Sequence, residues 1–511
     1  MNKLIQLASL LSCLYSFSQA GSLDTSFGTG GKIITSINNG SDKAYGVALQ
    51  SDGKIIVVGM TTNTSTGKDF VCIRYNTNGS VDTAFGNSGI VTNDLQTGSD
   101  DVAYSVAIQS DGKIILAGYS DDGSNKNAAL LRLNTDGSID TSFGTSGKVF
   151  TDFITGKADE IKTVKIHSLT GNIIVGGTSS TTSTASQAVI ARYTSTGLLD
   201  TSFNSTGKIL LPNASGSGTY YYTIEDLAVK SNGKISAVGW INQQGLSWSA
   251  NHYGCRLNSN GTLDTSFSTD GVIVTNGGFN GDDKSFSMLL NSDDSILFAG
   301  GGYLSTLEYD FILGLYDANG ASAVGKALFD YGSLVKDISY GMGVDSTGKI
   351  VLVGSNVTSV SSSTFGIARV NANYTIDSTF GTSGKVTTAF GANTTNEAFD
   401  MVIQSDDKIL AVGYTGNDFA IARYNGNVLS TNSFENKSKI LVSPNPVKNQ
   451  LNINLFDNEL LNKRFQIFDI NGRVVLDELI ENNFKAINVE NLSNGLYLFK
   501  LNQISIKFIK E

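Results

Sequence analysis

An apolar run, a tight turn of the Asp-Gly kind and a second apolar run recur seven times along the chain, and a Leu-Asp-Thr-Ser-Phe-like phrase recurs six times. The first turn reads Ser51-Asp52-Gly53-Lys54. Gly112, Gly171, Gly233, Asp294, Gly348 and Asp407 hold the place of Gly53 in the other copies, at intervals of 59, 59, 62, 61, 54 and 59 residues. A unit of this length cannot bury its apolar face alone, so the copies must pack on one another. In the first unit, Tyr45 to Gln50, Lys54 to Gly59, Phe70 to Tyr75 and Gly89 to Thr92 read as short strands, and the Asp-Gly pair reads as a hairpin turn. Each unit is therefore expected to be a four-stranded antiparallel meander.

The two ends of the repeat decide between an open array and a ring. The seventh unit stops at Ala422-Arg423-Tyr424-Asn425 without its phrase or fourth strand, whereas the chain opens with an orphan Leu23-Asp24-Thr25-Ser26-Phe27-Gly28 and a strand over Lys32 to Ser36. If the first strand completes the last unit, no sheet edge is left over. The expectation is an all-β chain, a seven-bladed β-propeller of four-stranded blades. Its hairpins and phrases share one face. The second-to-third loops, such as Met60 to Lys68, Tyr119 to Asn127 and Trp240 to Asn251, lie on a more variable opposite face, the usual place for binding.

Composition excludes some partners. A formal charge of −10 argues against nucleic acid and anionic membranes, which reward basic patches. Met1 to Ala20 reads as a signal peptide, with Lys3 as the positive start, an apolar stretch from Leu4 to Phe17, and Ser18-Gln19-Ala20 as the small-x-small cleavage site. No later segment supplies the roughly 20 apolar residues of a membrane span. Cys13 after Leu11-Ser12 also admits a lipoprotein reading. Cys72 and Cys255 belong to non-neighbouring units, so no disulfide is expected between them.

Residues shared by the copies read as scaffold. The phrase supplies Asp24, Asp82, Asp140, Asp200, Asp264 and Asp377, and the third strand supplies Arg74, Arg132, Arg192, Arg256, Arg369 and Arg423. The fifth unit loses both, with Leu315 in place of Arg, which suggests that they pair: Arg74 with Asp82, Arg132 with Asp140, Arg192 with Asp200, Arg256 with Asp264, Arg369 with Asp377, and Arg423 with Asp24. Phe27, Phe85, Phe143, Phe203, Phe267 and Phe380 are expected to wedge between blades. A second acidic series, Asp42, Asp101, Asp159, Asp283 and Asp337, precedes the innermost strands. It reads either as loop caps or as oxygen ligands for a cation such as Ca²⁺ at the channel mouth.

Where the copies differ, function is sought. Trp240 and Trp248 occupy the longest variable loop, and Tyr220, Tyr221 and Tyr222 precede the innermost strand of the same unit. Such a cluster is either a platform for sugar rings or a protein partner, or a satellite core under a long loop. His167 and His252 are the only histidines and lie in different units, so no catalytic triad or zinc set is assembled. No catalytic residue is assigned, and no cofactor is required.

From Ile440 the pattern changes. Strands are expected at Leu451 to Leu455, Phe465 to Ile470, Arg473 to Leu476 and Leu496 to Leu501, with a turn at Asn471-Gly472, forming a small Ig-like β-sandwich. Pro444-Asn445-Pro446, Phe468-Asp469-Ile470-Asn471-Gly472-Arg473, Leu492-Ser493-Asn494-Gly495-Leu496-Tyr497 and the Lys507 to Lys510 end resemble the C-terminal sorting domain of type IX secretion cargo in Bacteroidetes. That resemblance implies export to the outside or the outer-membrane surface, with the type IX machinery as partner. Leu23 to Gly28, Val47 to Ile55 and Ala420 to Asn425 are similar to the delta-60 repeat family, which implies no particular activity.

The domain reading is 1–20 signal peptide, 21–425 propeller, 426–439 linker and 440–511 sorting domain. The expected role is a secreted or surface-bound binding or adhesion protein with a glycan or protein ligand on the variable face. A carbohydrate-active enzyme using carboxylates on that face, or a matrix component without a small ligand, is the alternative.

Overall fold

The computed structural model describes residues 19–37, 40–212, 219–243, 250–275, 282–305, 308–332, 336–359, 362–391, 394–427, 440–455, 460–470, 473–501 and 504–511. The chain divides into two compact units, Ser18–Val428 and Leu429–Glu511.

The first unit is built of seven four-stranded antiparallel sheets. In the first blade the strands are Asp42–Leu49, Ile55–Asn63, Gly67–Tyr75 and Ile90–Asn93, paired in that order. They run a few residues beyond the apolar runs because the polar residues at the loop ends, such as Asp42 and Lys43, also pair with the neighbouring strand. The last blade is completed from the other end of the chain, where Lys32–Thr35 pairs with Asp418–Tyr424 in the register Lys32↔Ala422 to Thr35↔Phe419. The innermost strands, Asp42–Leu49, Asp100–Ile108, Asp159–Ile166, Tyr220–Val229, Lys284–Leu290, Asp337–Val344 and Asn396–Ile403, touch in cyclic order, the seventh returning to the first. The repeat is a closed β-propeller.

Closure also draws on residues placed in the leader by the sequence. Ala20 is fully buried, and its carbonyl accepts the Gly381 amide, just as the Asn78 carbonyl accepts that of Gly28. The Gln19 side-chain amide donates to the Gly381 carbonyl at 2.8 Å.

The ring has no single core. Its buried apolar residues fall into clusters that each span two adjacent blades. Phe27 packs with Val57 and Ile73 of the first blade and Val412 and Ile421 of the last, and Phe85 joins Ile56 and Cys72 to Ile114 and Leu116. A glycine from the next blade lies beneath four of these rings, those of Phe27, Phe85, Phe143 and Phe203. A Cβ on Gly79 would come within 2.9 Å of Phe27, and one on Gly197 within 2.7 Å of Phe143. These glycines also sit at positive φ, +88° and +89°, so both space and backbone exclude a side chain.

The fifth blade omits the phrase and passes from Glu308–Tyr316 to Ser322–Phe329 through residues 317–321 alone, which accounts for the short interval there. With no phenylalanine to cover, the next blade carries Tyr374 at φ 67° where others carry glycine, and that ring packs against the cluster containing Leu315 and Leu352.

Cys72 and Cys255 are buried free thiols. The second unit consists of two antiparallel sheets. One holds Ile440–Ser443, Gln450–Leu455 and Phe484–Asn488; the other holds Val474–Ile480, Lys463–Phe468, Gly495–Leu501 and Ile504–Lys510. Val447, Leu451, Ile453, Phe465, Ile467, Phe499 and Phe508 are among its core residues. Strands 440–443 and 484–488 escape a reading of apolar alternation because they are short or interrupted by Lys and Asn, whereas 504–510 does alternate, Ile504, Ile506 and Phe508 against Ser505 and Lys507. The turn at Asn471-Gly472 lies outside the described residues.

Phe85→Ala is expected to cost about 3–5 kcal/mol, since it opens a cavity between two blades that glycine cannot refill. Urea denaturation should show a lower midpoint at unchanged slope.

Candidate functional site

The residues common to the copies form a clamp. Arg74 meets Asp82 at 2.7 Å, while Arg132–Asp140, Arg192–Asp200, Arg256–Asp264, Arg369–Asp377 and Arg423–Asp24 meet at 2.8 Å. Each guanidinium lies over the phenylalanine of its phrase, 4.3 to 4.8 Å from the ring centre. Its Nη1 donates to a main-chain carbonyl of the next blade, those of Thr135, Ser195, Ser259, Ala318, Gly426 and Thr77 in turn.

The turn lysine completes five of the clamps. Lys54, Lys113, Lys234 and Lys349 reach the same carboxylates at 2.9 Å and Lys408 reaches Asp24 at 3.4 Å; Asn172 substitutes in the third blade, 3.0 Å from Asp200. Arginine and aspartate bond to one another and to the neighbouring blade, so we assign the motif to ring closure rather than chemistry.

Asp42, Asp101, Asp159, Asp283 and Asp337 are all fully buried, in five different blades. Four of them accept the amide of a residue in the loop that enters their strand. Ile37 donates to Asp42 at 2.6 Å, Leu95 to Asp101 at 2.6 Å, Phe153 to Asp159 at 2.9 Å and Tyr331 to Asp337 at 3.4 Å. That is the geometry of loop caps, and the five carboxylates do not converge on one channel-mouth ligand. Burial pushes Asp101 and Asp159 up to about 6.

Around the axis stand residues that the sequence reading passed over. Every innermost strand carries a β-bulge, and the extra residues are Tyr45, Tyr104, Lys162, Glu225, Phe286, Tyr340 and Phe399. Their side chains meet from blade to blade. Phe286–Tyr340 centroids are 4.9 Å apart, Tyr340–Phe399 and Phe399–Tyr45 5.1 Å, and Tyr45–Tyr104 5.2 Å. Lys162 then lies 4.0 Å over Tyr104. The signal was available: aligning the units on their turns puts these residues in one column, eight positions before the turn in all but the third copy.

An arc of aromatics thus gives way to charge at the third and fourth blades. Lys162 pairs with Glu160 at 2.6 Å, and Glu160 with Lys126 at 2.8 Å. The Trp240 indole N–H donates to Glu225 at 3.0 Å, its ring stacks on Tyr221 at 5.2 Å, and the Lys284 ammonium lies 4.4 Å over it. Tyr221, Trp240, Glu225 and Lys284 are all half-buried and thus reachable.

Of the expected aromatic cluster, Trp240 and Tyr221 come together and Tyr220 contacts Tyr222 at 5.8 Å. Tyr222 does not belong to a platform. It is fully buried and packs on Tyr253 in the core between the third and fourth blades, because alternation along the strand turns it inward. Trp248 lies outside the described residues.

Both histidines have structural partners. His252 is buried against Phe298 and hydrogen-bonded to Ser285, and burial depresses its pKa to about 3. His167 joins Thr170 to the Ser231 carbonyl of the next blade, beside a cleft of about 530 Å³ on the hairpin face.

In the second unit, Asn445 fastens the Pro444-Asn445-Pro446 segment to the last strand by donating to the Lys507 carbonyl and accepting from the Ile509 amide. Tyr497 donates to the Ser493 carbonyl and stacks on Phe508 at 5.6 Å, near the Gly495 start of its strand. Arg473 pairs with Asp469 at 3.2 Å on the surface, and Gly472 lies outside the described residues. Ile470 and Leu496 stand exposed at a cleft between these motifs.

Two family profiles match the sequence. A secretion system C-terminal sorting domain covers residues 441–511, and a domain of unknown function, the DUF5122 β-propeller, covers 50–85, 109–143, 170–203, 230–267, 346–380 and 404–427. The chain joins DUF5122 β-propeller repeats to a type IX sorting tail. The tail implies interaction with the type IX machinery, and so secretion or attachment at the cell surface. No helix among the described residues is long and apolar enough to cross a membrane.

No curated protein is significantly similar. Among solved structures, a virginiamycin B lyase from Staphylococcus aureus is 12% identical, with 76% of this chain and 98% of that one covered at a TM-score of 0.42. A protein of unknown function from Dyadobacter fermentans is 13% identical, covering 77% and 97% at 0.42. PorZ, a surface component of the type IX system of Porphyromonas gingivalis, is 10% identical, covering 96% and 86% at 0.23.

The clamp predicts an acid sensitivity. Burial of Asp377 opposes ionisation, but hydrogen bonds from Lys349 and Thr379 and the charge of Arg369 prevail and hold its carboxyl at about 2. A folded-state pKa below the unfolded value gives stability that is present above about pH 4 and lost as pH falls through 2. Asp377→Asn should therefore cost about 2–3 kcal/mol at pH 7 and far less at pH 2, measured by chemical denaturation at both pH values.

Proposed function

We propose that this protein is an exported binding module that holds a glycan at the channel mouth of its variable face. The observation that carries the reading is the half-buried Trp240–Tyr221 stack, with Glu225 accepting the indole N–H and Lys284 over the indole face. Aromatic faces beside fixed polar groups suit a sugar ring, which offers C–H bonds to the ring and hydroxyls to the charges. The aromatic arc of the channel gives this corner a rigid floor, so little ordering entropy opposes binding.

A carbohydrate-active enzyme is the second reading, and one observation favours it. Burial pushes Glu225 up, whereas at Glu160 the charges of Lys162 and Lys126 outweigh burial and bring it down. Carboxylates driven apart in this way suit acid and base roles.

A glycan array on the purified protein should give hits that Trp240→Ala weakens at least tenfold, about 1.4 kcal/mol. Hits unchanged in Trp240→Ala and Tyr221→Ala remove the platform, and polysaccharide turnover lost in Glu225→Gln favours the enzyme. A blank array leaves the matrix reading. Separately, deleting residues 441–511 should leave the protein in the periplasm by cell fractionation; continued export speaks against the tail as its address.

A further inference from the structure

Where the first and second blades meet, three carboxylates from three elements converge. Asp69 stands on Gly67–Tyr75, Asp94 in the loop that follows Ile90–Asn93, and Asp101 on Asp100–Ile108. One oxygen from each lies within 4.8 Å of the other two. That separation is what two metal–oxygen bonds of about 2.4 Å can span.

Asp69 and Asp101 are buried, 4% and 0% exposed, and Asp94 is half-buried, which leaves an entry path. Among the described residues no ammonium or guanidinium forms an ion pair with any of the three. Lys68 turns to Asp100, and Lys148 donates to the main-chain carbonyls of Asp94 and Leu95.

A second observation points to a ligand. Oδ1 of Asp69 is buried without a hydrogen-bond partner, while its Oδ2 accepts from Thr66 at 2.8 Å. A buried carboxylate oxygen left without a donor is costly, and more so beside two further acids. Asp94 and Asp101 are held in place by Gly98, Ser99 and Leu95, so the set is preorganised. The same three positions are acidic at the junction of the fifth and sixth blades, as Asp310, Asp330 and Asp337.

We propose that Asp69, Asp94 and Asp101 bind a divalent cation of the hard, oxygen-seeking class, Ca²⁺ in preference to Mg²⁺, and that it ties the first blade to the second. Three anionic oxygens, with room for water on the open side of Asp94, favour a large ion of adaptable geometry over Mg²⁺, which demands an octahedron and dehydrates reluctantly. The site lies at a blade seam, apart from the aromatic mouth, and does not depend on the glycan reading.

The test is isothermal titration of the EDTA-treated, dialysed full chain with CaCl₂ and with MgCl₂, alongside thermal unfolding. Saturable Ca²⁺ binding, tighter than Mg²⁺ binding and accompanied by a rise in melting temperature, is expected. Asp69→Asn should remove one binding equivalent. Asp94→Asn, at a half-buried loop position where folding is less at stake, should weaken the same equivalent at least tenfold. No saturable binding of either ion overturns the proposal, as does Ca²⁺ binding of unchanged stoichiometry and affinity in Asp94→Asn.

Discussion

The ring depends on one interaction repeated at its seams, an arginine that belongs to one blade and bonds to the next. Arg74 holds Asp82 of its own phrase, covers Phe85, and donates to the Thr135 carbonyl across the junction. Blade order, blade spacing and the seating of the phenylalanine are thereby coupled. A buried charge network of this kind is tolerable when its members are satisfied, and at Asp82 the Lys54 ammonium and the Ala84 amide serve the carboxylate, as Lys113 and Ser142 do at Asp140.

The fifth blade shows what happens when that interaction is absent. Leu315 replaces the arginine, the phrase is gone, and the next blade supplies Tyr374 in place of a glycine. Glycine at Gly79, Gly137, Gly197 and Gly261 thus goes with the phenylalanine above it. Apolar contact replaces the charge network, and the sheet still pairs.

At the axis, the bulges convert a regular scaffold into an asymmetric one. Five of the seven bulged residues are aromatic and pack on one another around the axis, while Lys162 and Glu225 interrupt the arc beside Trp240. The candidate site is the place where the repeat fails to repeat. Its rigidity comes from the same seams that hold the ring, since Glu160, Lys162, Glu225 and Lys284 all stand on innermost strands.

The sequence by itself determined the repeat, the meander within each unit, the closing strand at Lys32–Thr35 and the pairing of aspartate with arginine, because these rest on local periodicity and on a joint loss in one copy. The sorting tail was also legible, through short motifs in fixed order. Only the tertiary structure decided which residues face one another across seams and around the axis. Tyr222 looked like a neighbour of Tyr221 in a platform, yet strand alternation sends it into the core. Asp69 and Asp94 recur in only some of the copies, and only the docking of two blades sets them beside Asp101. Contacts between blades link residues distant in sequence, and their geometry is set by bulges and by the angle at which sheets pack, which a one-dimensional pattern does not encode.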